Sequence, residues 1–278
     1  MDIATLAGLL FGFGAVLWAM YEGTEGHLGA FVSKEGFVLV LGGSIACAAM
    51  SLPMHVLKQL PGYLRKYLFH KGAEPTELIK QIVQFAEIAR RDGVLALENS
   101  VKNTEDPFLK KGLQLAIDGA DPHVIEQVLE IEVAAIEERH HHGRKLFETM
   151  GKYGPALGLT ATLVGQVVMF NRMAAPSGGE GGKGGGSDAA GIAAALAIAL
   201  LGTLYGTLWA NLVCGPVADK LATRSKEEIF GKQIIIQGIL AIQAGDNPRI
   251  VESKLLSFLS HSERSHMPAL AGGGGKEK

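Results

Sequence analysis

Charge is scarce in this chain. Asp, Glu, Lys and Arg make up 19% of its 278 residues, against about 25% in an ordinary soluble domain. Aromatic residues are few, at 6%. The cysteines number two, Cys47 and Cys214, each in or beside an apolar run, so a disulfide framework is not expected. The formal net charge of −2 provides no bulk attraction for nucleic acid. Neither H-E-x-x-H, nor a Walker loop, nor C-x-x-C occurs, and no Ser-His-Asp triad is indicated. An enzyme with its own active site is not expected. What the chain does have is apolar residues, 47% of the total, and 37 glycines. That content excludes a disordered chain and points to an integral membrane protein with a polar part.

The bilayer core, about 30 Å thick, needs about 20 mostly apolar residues as a helix. Four runs meet that need: Ile3 to Tyr21, Gly36 to His55, Tyr153 to Phe170 and Ala189 to Cys214. None contains Asp, Glu, Lys or Arg. The first lacks a basic leading region and reads as a retained span rather than a secretion signal. Lys and Arg placement sets the orientation. Lys58, Arg65, Lys66 and Lys71 follow the second run, and Lys220, Arg224 and Lys226 follow the fourth. The connection between the first two runs carries Glu22, Glu25 and Glu35 against Lys34 alone. The basic segments, and with them both termini, are therefore expected in the cytoplasm. The expected fold is all-α: transmembrane helices 1 and 2 in residues 1–56, a cytoplasmic helical domain in 57–152, helices 3 and 4 in 153–214, and a cytoplasmic helical tail in 215–278.

Within 57–152, Pro75 opens one helix, Asp92-Gly93 breaks it, and Val94, Leu95 and Leu97 begin a short second one. Asp106-Pro107 and Asp121-Pro122 each open a further helix, because proline suits the first helical position and the aspartate ahead of it caps. The last of these runs on toward the third span. His140, His141 and His142 are consecutive, so on a regular helix they point about 100° apart and do not converge on one ion; no metal site is expected. A glycine-rich outer loop is expected at 175–190. It is not a phosphate loop, because no strand precedes it and no G-K-[ST] occurs.

An intramembrane carboxylate marks most ion and proton pathways, and these spans contain none. They do hold Thr160, Thr162 and Gln166 in the third span, and Thr203, Thr207 and Asn211 at i, i+4, i+8 in the fourth. Gly8 and Gly12, and again Gly202 and Gly206, have the G-x-x-x-G spacing that lets helices approach in lipid. Pro155 and Pro216 lie in and just beyond the third and fourth spans. Each removes a backbone N–H and offers a bend point or a helix boundary.

The third span reads Tyr153-Gly154-Pro155-Ala156-Leu157-Gly158-Leu159-Thr160-Ala161-Thr162-Leu163-Val164-Gly165. The fourth contains Leu204-Tyr205-Gly206-Thr207-Leu208-Trp209-Ala210-Asn211-Leu212, followed by Pro216-Val217-Ala218-Asp219-Lys220-Leu221, and the tail contains Gln237-Gly238-Ile239-Leu240-Ala241-Ile242-Gln243 through Arg249. On these pieces the chain resembles the MotA/PomA family of bacterial flagellar stator proteins, within the MotA/TolQ/ExbB group. The family's tail motif carries Glu where Gln237 stands here. The three-span TolQ/ExbB branch fits less well, and an ExbB/TolQ-like energiser of a non-flagellar process is the alternative reading.

The resemblance implies an ion-channel and torque-generating subunit in the inner membrane. It implies a homopentamer around a dimer of a MotB/PomB-type partner, whose single span carries an ion-binding Asp and whose outer domain grips peptidoglycan. No cofactor is implied, only a translocated H+ or Na+. The family's two functional prolines match Pro155 and Pro216. Its span-four threonine facing the partner's Asp matches Thr203. Thr162 matches the position where sodium-driven members carry Thr. Gly202 stands where such members tend to carry a second Thr, so the residues point both ways on the ion. The rotor-contact charges, directed at a FliG-like switch protein, match Arg90 and Glu98.

Overall fold

A computed structural model describes residues 3–59, 61–63, 75–102, 104–174, 186–261 and 264. Arg65, Lys66, Lys71, the glycine-rich stretch through residue 185 and the Gly272–Gly275 tail lie outside the described residues. No strand occurs among the described residues, in keeping with the all-α expectation.

Helix α1 spans Ile3–Gly23. A 3-10 turn at Leu28–Phe31 leads into α2 (Lys34–Phe37), a π-helical turn (Val38–Gly42) and α3 (Gly43–Ser51). Then come α4 (Met54–Lys58), α5 (Pro75–Asp92), a 3-10 turn (Val94–Leu97), α6 (Glu98–Lys102) and α7 (Pro107–Ile117). Helix α8 runs unbroken from Pro122 to Ala174, 53 residues, and carries the third apolar run in its second half. Helix α9 (Gly186–Leu208), a second π turn (Trp209–Cys214), α10 (Gly215–Gln243) and α11 (Pro248–Leu256) complete the chain. Among the described residues, three helical stretches are long and apolar enough to cross a membrane: Leu28–Ser51, Pro122–Ala174 and Ala190–Gln243. Ala7–Gly23 is a shorter apolar helix.

Three boundaries differ from the sequence reading. The loop expected at 175–190 is helical from Gly186 onward, where α9 begins. The second run does not stay helical to His55. Leu52 is extended (φ −129°, ψ 150°), because the ring of Pro53 disfavours helical backbone in the residue before it. Nor does Pro216 mark a helix end. It follows the π turn Trp209–Cys214 inside a helical stretch that runs from Ala190 to Gln243, and the wider turn ahead of it accommodates the hydrogen bond that proline cannot make.

The chain forms two compact units. One comprises Met1–Lys71 and His140–Ala222; the other comprises Gly72–Arg139 and Thr223–Lys278. The second unit has a continuous apolar core in which Ile79, Ile82, Leu97, Leu109, Leu113, Ile125, Leu129 and Ile239 are wholly buried. Asp106 explains how α7 starts. Its carboxylate accepts the backbone N–H of Phe108 at 2.8 Å and also receives the Lys232 ammonium at 2.9 Å, so one residue caps a helix and ties it to α10.

In the first unit, α8 and α9 meet along a seam of small residues. Gly154, Gly158, Ala161 and Gly165 on α8 face Gly206, Gly202, Ala199 and Ala195 on α9, running in opposite directions. The spacing on each helix is four, three and four residues, one face of a helix. At Gly158 a methyl group would lie 2.8 Å from the Gly202 carbonyl oxygen and 3.0 Å from the Thr203 Cα. Backbone, not a flexible side-chain tip, blocks it. Gly8, in the other pair singled out by spacing, has nothing within 4 Å of such a methyl. Gly158→Ala is therefore expected to destabilise the assembled protein by about 1–3 kcal/mol, the range for overpacking a filled interior, while Gly8→Ala leaves it unchanged. Thermal unfolding of the two purified variants in the same detergent checks both halves.

Candidate functional site

The seam brings two of the sequence-selected threonines together. The hydroxyls of Thr162 and Thr203 lie 2.6 Å apart. The Thr162 hydroxyl also lies 3.1 Å from the Ala199 carbonyl oxygen and 3.2 Å from that of Gly158, and the Thr203 hydroxyl lies 3.4 Å from the same Gly158 oxygen. Four oxygens thus converge with only two hydroxyl protons among them. One hydroxyl donates to the other, and the second proton serves a carbonyl. The remaining lone pairs make a small electronegative spot in an otherwise apolar region. Hydroxyl and carbonyl oxygens without charge are the donor types that suit a hard cation. Thr162 is half-buried and Thr203 is exposed on the isolated chain, so the spot opens to the surface of α9.

The other polar residues of these spans behave differently. Thr160 donates back to the Ala156 carbonyl of its own helix at 3.1 Å. Thr207 bonds to the Thr203 and Leu204 carbonyls of its own helix, at 3.0 and 2.9 Å. These two satisfy themselves locally, as isolated helical threonines do. Asn211 falls inside the π turn Trp209–Cys214. A wider turn changes the angular phase, so the i, i+4, i+8 stripe does not carry on to it.

Pro155 lies within α8, where it removes the N–H that would reach the Gly151 carbonyl. Across the seam from it is Gly206, where a methyl would lie 3.1 Å from the Pro155 Cα. Pro216 follows the π turn directly. Pro216 therefore stands beside a departure from regular helix, whereas Pro155 lies within an uninterrupted one.

Arg90 and Glu98 belong to the second unit. Arg90 is exposed in the last turn of α5 and Glu98 is exposed at the start of α6. The reversal between them needs Gly93, whose φ of +86° is open to glycine and strained for other residues. Leu97 and Val101 anchor the turn in the core. Arg91 donates to Asp92 from Nη2 at 2.8 Å and from Nε at 3.0 Å. The guanidinium holds the Asp92 carboxyl below its usual range, and the hydrogen bond raises Arg91 in turn. Those two charges are thereby matched to each other. Arg90 makes no ion pair among the described residues, whereas Glu98 meets Lys102 one turn on at 3.4 Å.

Consecutive residues on a helix diverge, yet two of the three histidines come together. His141 and His142 join Glu138 with their ligand atoms within 4.8 Å of one another, on one turn of α8 and without His140. Their rings are tilted, with centroids 6.1 Å apart.

Sequence reading missed the two carbonyls of the oxygen cluster and the role of Tyr205. The carbonyls had a signal. Gly158 precedes Thr162 by four residues, the spacing of a hydroxyl over its own helix's carbonyl, whereas the Ala199 carbonyl is reached across the seam by Thr162 and only its place four residues before Thr203 hints at it. Tyr205 had none, because its partners are about 170 residues away in sequence, with separations of 172 and 174.

Comparison with known proteins identifies the family. Residues 100–233 match the MotA/TolQ/ExbB proton channel family. Motility protein A of Borreliella burgdorferi is 37% identical over 98% of this chain and all of its own length. Chemotaxis protein PomA of Vibrio alginolyticus is 38% identical over 95% of this chain and 98% of its own. The structure of the flagellar MotAB stator complex from Bacillus subtilis superposes with a TM-score of 0.81 at 28% identity, covering 94% of this chain and 97% of that one. The chain belongs to the MotA/TolQ/ExbB proton channel family and, within it, to the MotA and PomA flagellar stator proteins.

Proposed function

We propose that Thr162 and Thr203 line the ion pathway of a flagellar stator and that Arg90 and Glu98 contact the rotor. The observation that carries the first half is the four-oxygen cluster on an apolar seam, in spans without one Asp, Glu, Lys or Arg. Such a site offers ligand atoms but no titratable group, so the carboxylate that loads and releases the ion comes from another chain. The chemistry fits a MotB/PomB-type partner with a single span, an ion-binding Asp and a peptidoglycan-gripping domain. Solved relatives of this fold include a MotAB stator complex, which supports that partner. In this reading α1 completes a set of four crossings and both termini are cytoplasmic. Residues 57–152 and the tail face the cytoplasm, and five copies surround a dimer of the partner in the inner membrane. Loading and release of the partner's Asp then turn the ring, with Pro155 and Pro216 as the points where α8 and the α9–α10 rod bend. The exposed, uncompensated Arg90 and the nearby Glu98 present opposite charges to a FliG-like switch protein.

Thr203→Ala removes one of the four oxygens and leaves the seam's packing in place. The variant is expected to co-purify with its partner at the normal level while losing most ion flow and torque. Normal swimming and torque would end the assignment of this residue. Charge reversal at Arg90 or Glu98 is expected to reduce torque with ion conductance and membrane insertion intact, measured as tethered-cell rotation beside ion flux. Loss of complex formation would instead make the two residues structural. Swimming speed with sodium varied at fixed pH assigns the ion: dependence on sodium means Na+, and independence means H+.

A further inference from the structure

The side of α9 opposite the threonines carries a contact with no role so far. Tyr205 lies two positions after Thr203, about 200° around the helix. Its phenol hydroxyl donates to the Phe31 carbonyl at 2.5 Å and accepts the Ser33 backbone N–H at 2.8 Å. Those two groups sit where the 3-10 turn Leu28–Phe31 ends and α2 has not begun, so neither has a helical partner. Ser33 is itself the N-cap of α2, accepting the Gly36 N–H at 3.2 Å and donating to Glu35 at 3.2 Å. The Tyr205 ring lies flush on Gly36, where a methyl would be 3.3 Å from Cε2. The Phe37 ring meets it edge-on, with centroids 6.4 Å apart and planes at 81°. Ser33 and Gly36 are both buried.

Helix α9 is thus held from two sides. The seam with α8 controls how near it comes, but small residues resist rolling poorly. The phenol, fixed by two hydrogen bonds at the end of a long rigid side chain, resists rolling well. We propose that Tyr205 is a positioning residue. It straps the first outer connection to α9, fixes the roll of that helix, and so sets the Thr203 hydroxyl against Thr162. This rests on the reading of the threonine pair as part of the ion pathway. It adds a residue that never touches the ion but governs how well the site is formed.

The test uses the full-length subunit with its partner in motile cells. Tyr205→Phe keeps the ring and its packing and removes only the hydroxyl. The readouts are maximal rotation speed and the coupling-ion concentration giving half of it. The half-maximal concentration is expected to rise roughly threefold to tenfold, the range that loss of a buried hydrogen bond allows. Maximal speed and the number of engaged stators stay close to normal. An unchanged half-maximal concentration overturns the proposal, whether speed is normal or has fallen through loss of intact units. Gly36→Ala is the second variant. It keeps the hydroxyl but pushes on the ring, and it is expected to shift the half-maximal concentration in the same direction. If Tyr205→Phe does not assemble, a Gly36→Ala variant that assembles with an unshifted concentration overturns the strap. Failure of the underlying reading is separable: inert Thr203→Ala removes the ion site itself, whereas damaging Thr203→Ala with an unshifted Tyr205→Phe removes only the strap.

Discussion

The approach of two backbones along the α8–α9 seam is the constraint behind the rest of the membrane unit. In lipid the hydrophobic effect does not press helices together, so association depends on packing and on polar contacts between them. Side chains larger than methyl would hold these helices apart. With Gly158 opposite Gly202, a threonine on each helix reaches the other, and each also reaches a main-chain carbonyl. The oxygen cluster is therefore a product of what is missing between the helices.

A chain that conducts ions with no acidic group in its apolar spans gains from this arrangement. A buried carboxylate would have to be paired or neutralised. Hydroxyls and carbonyls carry no net charge and here satisfy one another, so they stand in an apolar wall at small cost. The charges of the second unit follow a different logic. Arg90 and Glu98 are exposed to solvent, where ion pairs are weak and salt-screened. The contact proposed for them would therefore form and break readily.

Much of this was legible in sequence because it depends on local rules. The all-α architecture, the Asp-Pro helix starts at 106 and 121, and the merging of the helix from Pro122 into the third apolar run all follow from hydrophobic length and capping chemistry. The glycine spacings were legible only in part. Gly202 and Gly206 pack as their spacing suggests, whereas Gly8 has no neighbour close enough to matter, and spacing does not distinguish the two. What was not legible depends on distant partners or on deviations from period. The Tyr205 strap joins residues more than 170 apart. The continuation through Pro216 depends on a π turn, which no propensity of Trp209–Cys214 announces.

Those wide turns, at Val38–Gly42 and Trp209–Cys214, each behave as a one-residue insertion in an otherwise regular rod. Beyond them, every side chain points in a direction that a constant 3.6-residue ruler misassigns by about 100°. Along the Ala190–Gln243 stretch, facing positions read from such a ruler are sound as far as Leu208 and wrong after Cys214.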